Sequence, residues 1–390
     1  MKRVFALSLI IIAIVTSVGF LIAYNSTAEN TQQKKNAPIY VGVTFCGNTT
    51  DQGKLLVDRV EPYTNLLIID SIVLNKNESA LTNLSNYIVA RGLHLIVYFS
   101  DFNLPWQLPW VKTTQERLGD MFLGVYYYDE PGGIQLDFNW QNNSNTMVPN
   151  FTNTTRNYDL AAATYISNFQ NYPKFKALRN MPITTFTSDY ALYWFDYKAG
   201  FDVVLTQFGW NHSITQEIDL SRAAAQTQNK TWGAIITWKY NESPYLDTPD
   251  NIYDQMLLAY QSGAKYISIF NYPTYPEGNA YGVMTDGHFE ALQKFWNHIT
   301  SKTANNSDPD VSHPETALVL PQNYAFGFRN PNDRIWGFWG PDELSPQIWN
   351  VTQTLLAKYG LRLDIVYDDP DFPVTGRYTK IYMWNQTVYD

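Results

Sequence analysis

The sequence has almost no cysteine and few charged residues. Its single cysteine, Cys46, excludes an internal disulfide framework, so the fold must be stabilised by a hydrophobic core. We interpret Cys46 as a small buried residue rather than a nucleophile. Charged residues make up 16% of the 390 residues, and the formal net charge is −9. Because no cluster of Lys and Arg is present to neutralise phosphates, we do not expect a nucleic-acid partner.

Cofactor and metal motifs are also missing. The sequence contains no G-x-G-x-x-G motif and no P-loop, and its five histidines show no metal-ligand spacing. We therefore expect no cofactor and no metal. Aromatic residues are abundant instead, with 12 Trp and 28 Tyr. Most of them are expected to pack in the core, and the remainder can form flat amphipathic surfaces on which sugar rings stack.

The N-terminus is typical of a membrane segment. Lys2 and Arg3 precede an uncharged run at 4–24, and the next charge is Glu29. About 20 apolar residues suffice to span a bilayer, whereas the apolar region of a cleaved signal has roughly 7 to 15. We predict that residues 1–36 form an uncleaved anchor and a short stalk, with the body extracytoplasmic because basic residues mark the cytoplasmic side. Cleavage of this segment, which would release a secreted protein, is the alternative.

Many potential glycosylation sites support an extracytoplasmic location. The motif Asn-X-Ser/Thr marks acceptors for N-glycans, and a high density of such sites is typical of secreted or surface glycoproteins. The asparagines of these motifs are Asn25, Asn48, Asn77, Asn83, Asn142, Asn150, Asn153, Asn211, Asn229, Asn241, Asn305, Asn350 and Asn385.

Strand-like and helix-like stretches alternate regularly after the N-terminal segment. Strands are predicted at 39–45, 65–70, 94–100, 122–128, 182–187, 201–208, 233–238 and 266–271. Helices are predicted at 51–63, 79–91, 111–118, 156–170, 189–198, 214–228, 249–262 and 287–300. Eight such units predict a (β/α)8 TIM barrel over 37–303, with a doubly wound sheet as the rival. The stretch 131–155 shows no periodicity, and we interpret it as a lid or rim, or as a disordered insertion.

A second, smaller unit follows a polar linker at 301–314. Strands at 316–321, 363–367 and 379–384 and a helix at 346–359 predict a small α/β domain over 304–390. It resembles the flavodoxin-like or amidotransferase-like domains that accompany some barrel glycosidases.

The stretch from Phe122 to Gly133 organises the predicted barrel. It reads F-L-G-V-Y-Y-Y-D-E-P-G-G, so a strand leads directly into Asp129 and Glu130 before a proline and two glycines end it. The C-terminal ends of barrel strands are where catalytic groups lie. Strict alternation along the strand would point only one of these two acids into the barrel.

Other strand ends supply further candidates for a polar, aromatic-lined pocket. Candidate acids are Asp101 and Asp189, although a helix N-cap also explains Asp189. We interpret Asp70 as a ligand of backbone amides, and Lys239 as the partner of a nearby acid rather than a Schiff-base lysine. Candidate substrate-binding residues are Trp210, Trp238, Tyr128, Tyr240, Asn271 and Tyr272.

The Y-Y-Y-D-E-P sequence ending in Pro131 resembles the glycoside-hydrolase-like barrel superfamily. The resemblance implies that Glu130, at the tip of the fourth strand, is the general acid. Many members have Asn before this acid and a Glu ending the seventh strand, whereas this chain has Asp129 and Trp238. Glu242 could replace the missing Glu, but it lies inside the Asn241 glycosylation motif.

Three functions remain open from the sequence. The first is a membrane-anchored glycoside hydrolase that acts on a poly- or oligosaccharide, with Glu130 as acid/base and Asp101, Asp129 or Asp189 as its partner. The second is a barrel that has lost catalysis and binds glycans at the cell surface. The third is a structural envelope glycoprotein, which the glycosylation motifs alone would satisfy.

Overall fold

Eight parallel strands form a closed barrel in the computed structural model, which describes residues 39–138, 140, 156–275, 278–304 and 314–386. Strands β1 to β8 are Tyr40–Phe45, Leu66–Ile69, His94–Phe99, Phe122–Tyr127, Thr184–Asp189, Val203–Phe208, Thr231–Ile236 and Tyr266–Ile269. Strand β1 closes the barrel, because Gly42 aligns with Leu66 of β2 on one side and with Ser268 of β8 on the other. The predicted TIM barrel is therefore confirmed, and the doubly wound alternative is excluded.

Helices connect the strands. In chain order, α1 to α10 are Thr50–Val60, Glu78–Ala90, Gln107–Leu118, Pro131–Asp137, Tyr158–Asn171, Pro173–Arg179, Tyr193–Ala199, Ile214–Thr227, Pro249–Gln261 and Asp286–Ala304. Several begin at side-chain caps that the sequence provides. The Thr49 hydroxyl and the Gln52 side chain form a reciprocal capping box at the start of α1, for example.

The barrel interior is filled by branched and aromatic side chains. Its buried residues are Leu66, Ile68, Ile96, Tyr126, Phe186, Val203, Leu205, Ile235 and Tyr266. Burial of such side chains contributes roughly 1.5–3 kcal/mol each. The packed interior means that a ligand can enter only above this layer, at the C-terminal ends of the strands.

Two helices were not predicted from the sequence. Helix α4 begins at Pro131, inside the stretch expected to lack periodic structure, and α6 follows α5 after Tyr172 alone. The rest of the predicted lid falls mainly on 141–155, which lies outside the described residues.

The C-terminal unit contains a three-stranded parallel sheet. Strand β9 (Thr316–Leu320) lies between β10 (Leu363–Tyr367) and β11 (Lys380–Met383), and helix α11 (Ser345–Tyr359) connects β9 with β10. Helix α8 of the barrel packs against β10. The predicted small α/β arrangement is thus present, while the boundary near residue 304 remains a prediction.

The predicted membrane anchor lies outside the described residues. Within the described ranges, no helix has the length and apolar character that crossing a bilayer requires.

Candidate active site

Asp129 and Glu130 lie together at the mouth of the barrel. Strand β4 ends at Tyr127, and the next residues leave regular strand geometry, with left-handed φ angles of 58° at Tyr128 and 54° at Glu130. These angles interrupt the alternation of side chains. Both acids therefore line one cavity of about 260 Å³, where alternation had predicted that a single acid would face inward.

The cavity combines these acids with polar and aromatic groups from the neighbouring strands. Its remaining residues are Tyr126, Ser188, Gln207, Trp210, Ile235, Thr237, Trp238, Phe270 and Tyr272. Trp238 is the centre of the aromatic wall, because its ring lies 5.7 Å from the ring of Trp210 and 4.5 Å from that of Tyr272. Three of the predicted substrate-binding residues thus meet the two predicted acids.

Asp129 is held by hydroxyl groups. Its Oδ1 accepts hydrogen bonds from Tyr126 and, at 2.6 Å, from Ser188 Oγ. Burial raises the pKa of Asp129, and the two hydroxyl groups act in the opposite direction by stabilising its charged form. This carboxylate therefore has a fixed orientation.

Glu130 is in a different environment. Its Oε1 accepts one side-chain hydrogen bond, from Gln207 Nε2 at 2.8 Å. Burial and the charge of Asp129 raise the pKa of Glu130 to about 7, against the hydrogen bond from Gln207. In the described part of the chain, neither Glu130 nor Asp129 forms an ion pair with Lys or Arg. Glu130 is therefore a group that can hold and release a proton near neutral pH.

Asp70 is a third acid at this mouth. Burial, together with the charge of Asp129, raises the pKa of Asp70 well above its ordinary value. The sequence interpretation assigned Asp70 to backbone amides, but burial and the charge of Asp129 account for its raised pKa without a hydrogen bond from a described amide. Asp70 follows the end of β2, which pairs with β3 and not with β4, so its proximity to Asp129 depends on how the strand ends are arranged in the folded barrel.

Asp101 and Tyr128 line a different cavity. This cavity of about 310 Å³ lies beside α4 and α5 and has mainly aromatic walls, including Tyr165 and Phe169. Asp101 accepts hydrogen bonds from Tyr127 at 3.0 Å and from Lys174 Nζ at 2.7 Å. Burial would raise the pKa of Asp101, but these partners lower it overall. The structure does not bring Asp101 to the Glu130 cavity.

Asp189 is completely buried and binds backbone amides. Its carboxylate accepts hydrogen bonds from the amides of Gly132 and Gly133, in the first turn of α4, and from that of Tyr190. The alternative interpretation of Asp189 as a helix cap thus describes these contacts, although the capped helix is α4 rather than the helix that follows Asp189 in the sequence.

The remaining candidates contact other groups. Asn271 is 2% exposed and binds the chain at Tyr281 and Met284 through its amide, which fixes the loop after β8. Tyr240 is 40% exposed and does not line the Glu130 cavity. Lys239 forms the predicted ion pair, with Asp247 at 2.9 Å. Among the described residues, no group of three His, Cys, Asp or Glu side chains could hold a metal ion.

Among the polar residues of the cavity, Ser188, Gln207 and Thr237 were not identified from the sequence. Ser188 links Tyr126, Asp129 and Gln207 through its hydroxyl. Gln207 follows Val203 and Leu205 on the inward face of β6, where an amide interrupts an apolar row. That interruption is a sequence feature that could have indicated Gln207. Ser188 has no such feature, because a serine near a strand end is common and does not indicate a functional site.

Comparisons with known proteins place the chain in no family. No family model matches it, and no curated protein matches it either. Similar solved structures include D-psicose 3-epimerase from Clostridium cellulolyticum H10 with D-tagatose (9% identity, TM-score 0.37, 69% of this chain and 100% of that one). Another is truncated 3-deoxy-D-arabino-heptulosonate 7-phosphate synthase from Thermotoga maritima (10%, 0.38, 70% and 89%).

A mutant of Saccharomyces cerevisiae Gas2p in complex with laminaritetraose and laminaripentaose is also similar (11% identity, TM-score 0.38, 67% of this chain and 63% of that one). Scores this low carry no functional argument. The assignment of the barrel therefore rests on the strand pairing of the chain itself.

Proposed function

We propose that the chain is a glycoside hydrolase with Glu130 as general acid and base and Asp129 as the second carboxylate. The observation that carries the proposal is the cavity in which a protonatable Glu130 faces Trp210, Trp238 and Tyr272. Flat aromatic side chains suit the apolar faces of sugar rings, and hydrolysis of a glycosidic bond requires a carboxylic acid beside a carboxylate.

The reaction assigns a distinct task to each acid. Protonated Glu130 gives its proton to the glycosidic oxygen as the bond between that oxygen and the anomeric carbon breaks. Asp129 then stabilises the positive charge that develops at the anomeric carbon. If Asp129 bonds to this carbon, a water that the Glu130 carboxylate deprotonates displaces it, so Glu130 regains its proton and the hydroxyl ends on the sugar. If no such bond forms, Asp129 itself takes the proton of the attacking water.

Binding without hydrolysis is the second candidate. It is supported by the position after β7, where the chain has Trp238 instead of a carboxylate, and by the two hydroxyl groups that occupy Asp129 Oδ1. In this alternative, the same cavity holds a glycan and Glu130 contributes a hydrogen bond rather than a proton.

We further propose that the protein is an anchored surface glycoprotein. Every asparagine of a glycosylation motif within the described residues is exposed: Asn48, Asn77, Asn83, Asn211, Asn229, Asn241, Asn350 and Asn385. This exposure is the condition for glycan attachment in a folded domain. Mass spectrometry of tryptic peptides from the native source tests the proposal, which unmodified asparagines at all of these positions would contradict.

A glycan panel separates the functional candidates. The full-length chain in mild detergent and its Glu130→Gln variant are assayed for binding and for release of reducing sugar. Release by the wild type alone supports the hydrolase, because the amide cannot donate an acidic proton. Binding by both proteins without release supports the glycan-binding alternative. If the wild type neither binds a glycan nor releases reducing sugar, a carbohydrate function is refuted.

A further inference from the structure

Gln207 connects the candidate acid to the hydroxyl network of the cavity. Its side chain is 5% exposed and lines the cavity beside Glu130. Nε2 donates to Glu130 Oε1 at 2.8 Å and to Ser188 Oγ at 2.9 Å. Because Ser188 also donates to Asp129, the amide of Gln207 lies between the two carboxylates. Gln207 is thus connected by hydrogen bonds to both acids of the proposed site, directly to Glu130 and through Ser188 to Asp129.

The two oxygens of Glu130 differ in their partners. Oε1 accepts from Gln207, whereas no described residue donates to Oε2. A protonated carboxyl has one hydroxyl oxygen and one carbonyl oxygen, and the carbonyl oxygen is the better acceptor for an amide N–H. When Glu130 is protonated, the oxygen beside Gln207 is therefore the carbonyl oxygen, and the proton lies on Oε2.

We propose that Gln207 is a positioning residue that keeps Oε1 of Glu130 as the accepting oxygen and so confines the acid proton to Oε2, the oxygen left free for a bound sugar. This inference rests on the proposed function, because it concerns the acid that would protonate the glycosidic oxygen. It assigns to Gln207 a task that neither its sequence position nor the superfamily resemblance indicated.

The amide oxygen of Gln207 indicates which hydrogen-bonding groups a ligand needs. Gln207 Oε1 is buried without a hydrogen-bond partner, and so is Trp238 Nε1 on the aromatic wall. A buried polar atom without a hydrogen-bond partner is unfavourable, so a ligand that donates to Gln207 Oε1 and accepts from Trp238 Nε1 gains affinity. Sugar hydroxyls do both. The cavity therefore suits a ring with free hydroxyls rather than an acylated or fully alkylated one.

The test measures the pKa of Glu130 in the full-length chain by pH titration of Trp fluorescence, since Trp210 and Trp238 share the cavity with this acid. Glu130→Gln supplies the blank titration. In Gln207→Met the pKa of Glu130 is expected to rise above its wild-type value, because the lost hydrogen bond stabilised the charged form. We expect kcat to fall about tenfold, as for the loss of one hydrogen bond to a charged group.

Gln255→Met is the matched control. Gln255 also donates to a carboxylate, Asp247, and also has a buried, unpartnered Oε1, but it lies away from Glu130. It should leave the titration and kcat unchanged. An unshifted or lowered pKa in Gln207→Met, or an equal shift in the control, would overturn the inference. If the wild type releases no reducing sugar, the hydrolase proposal fails, and the fluorescence titration still decides the role of Gln207.

Discussion

Glu130 and Asp129 are adjacent in the sequence but differ in their surroundings. Asp129 accepts hydrogen bonds from two hydroxyl groups. Glu130 accepts one hydrogen bond from an amide group, and the negative charge of Asp129 lies beside it. Environments that separate the pKa values of two acids allow one to donate a proton while the other stays charged. The division of tasks that we propose for the two acids therefore rests on the neighbours of each acid and not on its identity as Asp or Glu.

The first prediction concerns pH. The folded pKa of Glu130, about 7, lies above its ordinary value of 4.5, so the protonated acid prevails below pH 7 and is lost as the pH rises through it. Hydrolysis should decline along an alkaline limb near pH 7 in kcat/KM. In Asp129→Asn the pKa of Glu130 should fall, because the negative charge that raises it is removed. Initial rates at pH 4 to 9 measure the limb of the wild type, and pH titration of Trp fluorescence measures the pKa of Glu130 in the variant, which is expected to lose hydrolysis.

Asp101→Asn is the control for this prediction. Asp101 carries the same type of charge but lines a different cavity and pairs with Lys174. Its replacement should leave both the alkaline limb and the pKa of Glu130 unchanged. A pKa of Glu130 that shifts equally in both variants would mean that the titration reports general charge effects instead of the contact with Asp129.

At this scale, the sequence predicted the acids and the aromatic wall but not the hydroxyl and amide groups between them. Asp129, Glu130, Trp210, Trp238 and Tyr272 could be recognised because strand ends converge in a barrel. Ser188 and Asp70 could not, since their roles depend on which strands become neighbours and on how far each side chain reaches. The left-handed backbone at Tyr128 was equally unpredictable, because residues with a side chain rarely adopt it.

Helix α4 depends on a cap from a distant strand. The first turn after Pro131 contains Gly132 and Gly133, which have poor helix propensity, and their amides bind the buried carboxylate of Asp189. Asp196 lies beside Asp189, and burial together with this like charge raises the pKa of Asp189. The start of α4, which is also the position of Glu130, is therefore fixed by an acid of β5.

The second prediction tests this cap. Asp189→Ala should lower the free energy of unfolding by about 2–3 kcal/mol, because the buried amides of Gly132 and Gly133 lose their hydrogen-bond acceptor. The same variant should also lower hydrolysis, since the start of α4 positions Glu130. Chemical denaturation and rate measurements follow the two effects.

Asp196→Asn is the matched variant, because it keeps a polar side chain and removes only the like charge. It should change stability by less than about 1 kcal/mol. A loss in this variant as large as that in Asp189→Ala would contradict the capping role of Asp189.

At the scale of elements, hydrophobic pattern and turn residues predicted all eight barrel strands and the alternating helices. Helix α4 was missed because its stability comes from Asp189, outside the segment, and from no periodicity of its own. Helix α6 was missed because it has only seven residues and follows α5 almost directly. Patterns reveal elements that carry their own signal, and they miss those that tertiary contacts hold in place.

An ion pair joins the barrel to the C-terminal sheet. Arg222 of α8 is 1% exposed, and its guanidinium binds Asp364 of β10 at 2.8 Å and Asp219 at 3.0 Å. It also donates to the carbonyl oxygen of Leu363 at 2.6 Å. Charges so deeply buried are tolerated only when each has its partner. The barrel and the C-terminal strands should therefore unfold together.

The third prediction follows from this ion pair. Arg222→Met should lower the free energy of unfolding by about 3–5 kcal/mol, because Asp219 and Asp364 would remain buried without a cation. Lys230→Met is the control. Its ion pair with Asp202 is partly exposed, and its loss should change stability by at most about 1 kcal/mol. Equal effects in urea denaturation would show that burial does not govern the coupling.

One last consequence follows from the φ angle of 54° at Glu130. The left-handed conformation is unfavourable by about 1 kcal/mol for a residue with a side chain, and glycine adopts it without this steric cost. Glu130→Gly should therefore melt later than the wild type in calorimetry while catalysing nothing, and an earlier melting point would disprove this. Selection for thermal stability alone would favour glycine at position 130 over the proposed catalytic acid. The most stable variant at this position would therefore lack the proposed activity.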